Sequence, residues 1–306
     1  MISLNNENTV KVGNCKATLL SKIGDYTYTL ELVYPRIIHG EFMTHRMMSR
    51  NASSSRATPI DTMVHEVLVN PYIPKVWPKN CKGMSASENI TVLADINSAT
   101  KEWLTARDLA VSEAKMLSLQ GVHKEVVNRL LEPFQYIKVI ATSSDWDHFI
   151  QLRDTPLAQP DIQDLAIAIN ECISGYFENG NINVGHSGEI SYPYLDASLI
   201  FDSEYSYDEL ALISAARCAR VSYLKHDSTP ADPVADLELG QRLINDGHMT
   251  PFEHIIYTND AIQDSSCYYA CISNAVSYRT LLEVGIKLDD FCKDELGSTQ
   301  KLFIET

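Results

Sequence analysis

No Gly-x-Gly-x-x-Gly and no Gly-x4-Gly-Lys-Ser/Thr occurs in the 306 residues, so neither a Rossmann cradle nor a P-loop is expected. Gly-x-Ser-x-Gly is missing as well, which removes the nucleophile elbow of the α/β-hydrolases. The chain has no His-Glu-x-x-His and no Cys-x-x-Cys, and this argues against a zinc protease and a zinc ribbon. Seven cysteines (Cys15, Cys81, Cys172, Cys218, Cys267, Cys271 and Cys292) are odd in number and scattered. Reduced, mostly buried thiols are expected, not a disulfide framework. No apolar run is long enough to span a bilayer, and Met1 to Lys11 hold no apolar signal core. A soluble, cytoplasmic protein without a membrane partner is the expectation.

Positive charge is also scarce. Lys and Arg number 25 against 40 Asp and Glu, a formal charge of −15. Such a chain repels a nucleic acid backbone, so no polymeric nucleic acid partner is expected. One stretch departs from this. Between Arg36 and Lys82 stand seven basic residues and three acidic ones (Glu41, Asp61, Glu66). A local excess of cations suits a small anion such as a phosphate, where the forked donors of Arg are favoured.

What is present reads as a mixture of strands and helices. Tyr26 to Tyr34 alternates strictly, as a half-buried strand does, and Pro35 ends it. Ile37 to Met48 reads as a helix and Asn51 to Ser55 as a polar turn suited to close approach of a ligand. Asn97 to Gln120 predicts a long helix with Trp103, Leu104, Ala110, Ala114 and Leu117 inward, ended by Gly121. Val122 to Leu131 reads as a short helix stopped by Pro133, and Phe149 to Arg153 closes another. Asp161 to Phe177, Asp208 to Arg220 and Val234 to Asn245 complete the helices. The glycine-rich stretch Gly175 to Gly188 is the expected hinge. One domain over residues 1–306 is expected, its chemistry-bearing segments 24–177 and 207–285 joined by that stretch.

Four constellations could carry chemistry. In the first, Thr44-His45-Arg46 is followed after seven residues by Ser54-Ser55-Arg56. On the expected helix Arg46 and Arg50 stack as like charges, which is mildly unfavourable unless an anion sits beside them. The second is Arg129, four residues before Pro133. The third is Phe149-Ile-Gln-Leu-Arg153 with Ala158-Gln159. The last is His248-Met-Thr250-Pro-Phe-Glu253-His254. Its histidines are separated by five residues that include Pro251, a poor metal-ligand spacing, so no metal is expected.

Together these segments resemble the flavin-dependent thymidylate synthases, the ThyX type. That family's signature is Arg-His-Arg, seven residues, Ser, and usually Arg one residue later. Thr44-His45-Arg46, Ser54 and Arg56 match it in every place but the first. The family's His-x-Ser/Thr-Pro-Phe-Glu-His segment is reproduced by His248 to His254, preceded by Ala219-Arg-Val-Ser222. The likeness spans residues 36–175 and 215–254. The order differs: the Pro-Phe-Glu-His segment precedes the Arg-His-Arg segment in the family and follows it here, so the chain reads as circularly permuted. Glu41 stands where the family often has Gln, and Ala52 where it often has Glu. The lysines of Lys79 to Gly83 are a possible replacement for the charge lost at Thr44.

The resemblance implies an α+β chain with a ThyX-like fold, a central antiparallel or mixed sheet flanked by long helices. It implies FAD as cofactor, with NADPH and methylenetetrahydrofolate as co-substrates, dUMP as substrate and a homotetramer. Arg153 and Arg129 take the catalytic roles, Arg153 toward the pyrimidine carbonyls and Arg129, with Glu41, toward ring and sugar. Ser54, Ser55 and Arg56 bind the 5′-phosphate. Thr44, His45, Arg46, Asn51, Ser222, His248, Thr250 and Glu253 line the flavin pocket. All of this requires the four segments to meet in one positively lined cavity. The rival readings are a hydroxymethylase of the same scaffold and a non-catalytic nucleotide-binding relative.

Overall fold

The computed structural model describes residues 8–23, 26–83, 86, 88–179, 190–201, 204–222, 229–258 and 275–293. Its centre is a five-stranded antiparallel sheet. The strands are β1 (Thr9–Val12), β2 (Cys15–Ile23), β3 (Thr27–Pro35), β4 (Ser49–Ala52) and β5 (Tyr136–Ser143), in the order β1-β2-β3-β5-β4. A smaller antiparallel sheet joins β6 (Ile190–Ser191), β7 (Ile256–Thr258) and β8 (Ala275–Ser277). The expected α+β class with an antiparallel sheet is what the structure has.

One face of the large sheet is covered by helix α6 (Pro160–Asn179), whose Leu165, Ala168 and Ile169 are fully buried against Leu30, Leu32 and Val139. The periodicity of this helix was legible because its apolar positions recur at 3.6-residue spacing. Of the expected hinge, residues 175–179 continue α6, and 180–189 fall outside the described residues. Earlier in the chain lie α1 (His39–Phe42), α2 (Ile60–Val69), α3 (Leu93–Leu119) and α4 (Lys124–Val127). Helices α2 and α3 pack with the 3-10 segment Asn128–Phe134 around Val67, Ala114 and Leu131. Helix α3 begins four residues before its expected start, and Gly121 follows its end at φ 81°. Its core is thinner than expected, with Val111 and Ala114 buried and Trp103, Leu104, Ala110 and Leu117 only partly so.

Four expectations need correction. Ile37 to Met48 is not one helix: a 3-10 turn at Arg36–Ile38 and the single turn α1 give way to β4. Phe42 is locked into the core against Tyr34 and Phe149, and the chain then gains ladder bonds by pairing Ser49–Ala52 with β5. Arg46 and Arg50 therefore do not stack on a helix face. Asn51 and Ala52, read as turn, belong to that strand. Pro133 does not stop the helix before it but sits inside the 3-10 segment, where the missing N–H is cheaper than in an α-helix interior. Lastly, β3 is not half-buried. Thr27, Thr29 and Glu31 are all buried, while Tyr26 is exposed.

The second face of β3 is closed by the C-terminal part of the chain. Helix α5 (Trp146–Arg153) lies between β5 and α6, and α7 (Ala197–Phe201), α8 (Tyr207–Arg220), α9 (Pro233–Asn245), α10 (Tyr278–Glu283) and α11 (Leu288–Lys293) follow. Leu20 and Ile140 of the sheet meet Tyr194, Cys218 and Val221. Polar groups on that face find partners. Glu31 accepts a bond from Tyr194 Oη at 2.9 Å. Thr29 Oγ1 lies 2.8 Å from Thr142 Oγ1, and Thr142 Oγ1 lies 2.8 Å from Nδ1 of the fully buried His254. His254 Nε2 lies 3.0 Å from Asn51 Oδ1, and Asn51 Nδ2 donates to Thr250 Oγ1 at 3.2 Å. An amide oxygen only accepts, so Nε2 carries the proton and Nδ1 accepts from Thr142. Helix α8 opens on a capping box between Ser206 and Glu209. Helix α9 is held to it by the buried pair of Arg217 and Asp236 at 2.9 Å.

A second polar cluster pins the loop after α2. Asp161, at the first turn of α6, accepts from Tyr72 Oη at 2.7 Å, Gln159 Nε2 at 3.0 Å and Asn14 Nδ2 at 3.1 Å. Burial, then the Asp161 charge, pushes the Tyr72 phenol well above its ordinary range. The described cysteines are free thiols, and Cys15, Cys172 and Cys218 are buried as expected. Cys267 and Cys271 lie outside the described residues.

Two stability predictions follow from these clusters. Asp161→Ala strands the buried Tyr72 hydroxyl and leaves the Asn14 amide only its bond to the Ile73 carbonyl, and is expected to cost about 2–4 kcal/mol in urea unfolding; a loss below about 1 kcal/mol would show the cluster to be idle. Burial lowers the His254 pKa to about 3. The unfolded imidazole binds a proton near pH 6.5, so the unfolded chain holds the extra proton between these values. Stability from this residue is complete above about pH 6.5 and falls as pH drops toward 3. His254→Gln should flatten the acid limb of the stability profile; an unchanged limb would remove His254 as its source.

Candidate functional site

Edge strand β4 organises the expected site residues. Successive side chains of a strand point to opposite faces, so Arg50 and Asn51 lead to different neighbourhoods, and Ser53 to Arg56 continue beyond the strand end.

The first neighbourhood is built on α5. Trp146 and Phe149 are buried, and Trp146 Nε1 donates to the Tyr28 carbonyl at 3.1 Å. Arg153 stands one turn beyond Phe149, on the same helix face. The His45 ring rests edge-on against Phe149, with centroids 4.7 Å apart. Arg153 Nε donates to His45 Nε2 at 2.8 Å, Nη2 reaches Thr44 Oγ1 at 3.4 Å, and Nη1 lies 3.8 Å from Glu41 Oε2. Arg50 donates to the His45 carbonyl. Because His45 Nε2 accepts, the proton of the neutral ring sits on Nδ1. Burial first, then the Arg153, His148 and Arg50 charges, depress its pKa to about 4. Glu41, Thr44, His45 and Arg153 are thus brought together, as expected. Arg46 is exposed beside them, and among the described residues it has no hydrogen-bond or ion-pair partner.

The second neighbourhood holds the serine loop. Glu132 Oε1 accepts from Arg129 at 2.9 Å, Arg36 at 3.0 Å and Ser55 Oγ at 3.2 Å. The fully buried Asn128 fixes the loop by donating to the carbonyls of Ser55, at 2.7 Å, and Thr58, at 3.1 Å. Arg56 is exposed and lies 3.7 Å from Glu125. Behind the loop is a cavity of about 520 Å³ lined by Ser54, Ser55, Lys138 and Ser222 among others. Val221 closes α8 at φ 51°, a left-handed conformation rare for a β-branched residue, and Ser222 follows it into the cavity wall.

The third neighbourhood is the C-terminal segment. Thr250 and His254 meet Asn51 as described above. His248 is exposed, and Gly247 before it adopts φ 73° as the expected cap of α9. Glu253 is buried and accepts from Arg279 Nη1 at 2.6 Å, so it holds this segment to α10 and does not open onto the others. No cluster of metal-ligating side chains occurs among the described residues.

The four segments therefore form three neighbourhoods around β4, not one cavity within a single chain. Lys79 does not stand in for the cation missing at Thr44; it pairs with Glu88 at 2.8 Å on an exposed loop. The sequence reading did not single out Glu132 or Asn128 and gave Arg129 and Arg50 no protein partner. Arg129 and Glu132 stand three apart, a spacing that signals an ion pair. Nothing local marks Arg36, Arg50 or Asn128, whose partners are distant in the chain.

The family model described as thymidylate synthase complementing protein matches residues 20–177. No curated protein matches the chain. Among solved structures it is similar to the UMP/dUMP methylase PolB from Streptomyces cacaoi bound with 5-Br dUMP, at 18% identity and a TM-score of 0.40 over 50% of this chain and 70% of that one. The same protein bound with 5-Br UMP gives 20% identity and a TM-score of 0.41, over 48% and 69%. The matched residues make up more than half of the chain and hold both the Thr44-His45-Arg46 signature and Arg153, and the chain belongs to the flavin-dependent thymidylate synthase family.

Proposed function

We propose that this chain is a flavin-dependent thymidylate synthase, which reductively methylates dUMP to dTMP with methylenetetrahydrofolate, FAD and NADPH. The observation that carries the reading is Arg153 held by His45, Thr44 and Glu41, across more than a hundred residues of chain. Methylation at C5 of a uracil needs electron density at C5, and charge then develops on the ring carbonyls. A guanidinium whose orientation is already fixed stabilises that charge without reorganising. Burial first, then the Arg153 charge, keeps His45 neutral, so the two do not repel. Arg129 and Glu41 position the ring and sugar, and Ser54, Ser55 and Arg56 take the 5′-phosphate. Glu132 holds Arg129 and Ser55 on one oxygen and so couples these two tasks.

The donor set around β4 suits a flavin nucleotide. Thr44, Asn51 and Thr250 supply hydroxyls and an amide, and Arg46 and His248 are exposed. That combination matches ring carbonyls and a pyrophosphate. Reduced FAD, when bound, supplies the hydride, and NADPH restores it. Ser222 and Glu253 serve from behind, in the cavity wall and in the link to α10.

The chain acts as one domain in this reading, circularly permuted relative to the family. The bonds from Asn51 to Thr250 and His254 support this, since they dock the C-terminal segment on the strand that follows the signature. It assembles as a homotetramer in which neighbouring copies complete each site. Exposed Leu109, Met116 and Leu119 on α3 suit burial against another copy. Among the described residues no helix is long and apolar enough to cross a membrane, and we place the enzyme in the cytoplasm.

Arg153→Ala is expected to lower turnover of dUMP by at least about a hundredfold while circular dichroism and the unfolding midpoint stay near wild type. Near-normal turnover would refute the role. The purified chain should take up FAD and show its visible absorption bands. A colourless protein that cannot be loaded would instead point to a non-catalytic nucleotide-binding relative. Mass analysis of the product decides between a methyl and a hydroxymethyl group at C5.

A further inference from the structure

The serine loop is proposed to receive an anion, yet its best-placed hydroxyl is already spent on one. Ser55 is 4% exposed, and its Oγ donates to Glu132 Oε1 at 3.2 Å. Arg129 Nη1 and Arg36 Nη2 donate to the same oxygen, at 2.9 and 3.0 Å. Among the described residues neither arginine has another ion pair. Two guanidinium groups and a hydroxyl converging on a single oxygen form the donor set that suits a phosphate oxygen. The carboxylate of Glu132 therefore stands where an external anion would be held.

The parts differ in their freedom to move. The fully buried Asn128 holds the backbone of the loop at the Ser55 and Thr58 carbonyls. Arg36 begins the 3-10 turn after β3, and its N–H is bonded to the Gln135 carbonyl at 2.8 Å. Glu132 is the looser member: its side chain is 26% exposed, and an unbranched side chain at the surface changes rotamer readily. Ser55 can meet a phosphate only once that carboxylate has left. We propose that Glu132 is an internal stand-in for the 5′-phosphate, which holds Ser55, Arg36 and Arg129 in the free protein and is displaced when the phosphate arrives. This extends the phosphate role proposed for the serine loop and rests on it. The stand-in keeps the donors aimed while the site is empty, so less ordering remains to be done on binding. It also sets a threshold. A neutral nucleoside has nothing with which to displace a carboxylate. A phosphate monoester has, because it carries about −1.5 to −2 charges near neutral pH and three acceptor oxygens.

Glu132→Gln keeps an acceptor for the three donors and removes only the charge. Calorimetric titration of the full chain, supplied with FAD, with dUMP and separately with deoxyuridine reads the effect. The variant is expected to bind dUMP about tenfold more tightly than wild type, the effect of losing one like charge a few ångströms from the phosphate at a partly exposed site. Deoxyuridine is expected to bind both forms alike. A residue that only orients Arg129 and Ser55 gives the opposite sign or no change, so unchanged or weaker dUMP binding would overturn the proposal. An equal gain for deoxyuridine would overturn it too, because the effect would then lie on the ring or sugar. Should that variant not fold, Glu132→Asp draws the carboxylate back by one methylene and is expected to tighten dUMP in the same direction; no gain there counts against the stand-in as well. Ser54→Ala and Arg56→Ala titrated in parallel keep the two ideas apart. Unchanged dUMP affinity in both removes the phosphate role of the loop, and this proposal with it. Weaker binding in those variants, without a gain in Glu132→Gln, removes the stand-in alone.

Discussion

The structure depends on covering a sheet face that is polar. Helix α6 buries an apolar face of the central sheet in the ordinary way. The opposite face presents Thr29, Glu31 and Thr142, which cannot be buried without hydrogen-bond partners. The C-terminal part of the chain supplies them. Thr29, Thr142, His254, Asn51 and Thr250 form one run of hydrogen bonds from the middle of the sheet to its edge. Each member holds the next in a defined orientation, and such chains polarise one another. His254 must stay neutral for the run to exist, and burial keeps it so.

That constraint also fixes the site. Asn51 is drawn to the C-terminal segment on one face of β4, while Arg50 turns to the other face and secures the His45 backbone. His45 in turn accepts from Arg153 and lies against Phe149. The serine loop leaves β4 directly and is caught by Asn128 and Glu132. Three groups of functional side chains thus take their positions from one four-residue strand.

Charge has a similar logic. The excess of cations between Arg36 and Lys82 does not form a bare positive patch. Arg36 and Arg129 share Glu132, Arg56 approaches Glu125, and Lys75 pairs with Asp164. The acids come from later in the chain, so a strongly negative protein neutralises its basic segment internally. Arg46 is left exposed, on the side where the signature lies.

The sequence by itself determined the elements whose information is local. Helices α6, α8 and α9 were legible from their period and their caps, because a helix bonds only within itself. The family was legible from short motifs with fixed internal spacing, but the contact between Arg153 and His45 was not, since the two lie 108 residues apart in the chain. Tertiary structure decided the rest. Ser49–Ala52, whose Asn51 and Ala52 read as a polar turn, became a strand because β5 was there to pair with it. Glu253 was committed to Arg279 by neighbours that no local pattern reveals. Side-chain partners in a folded protein are chosen by proximity in space, and a one-dimensional reading has no access to that distance.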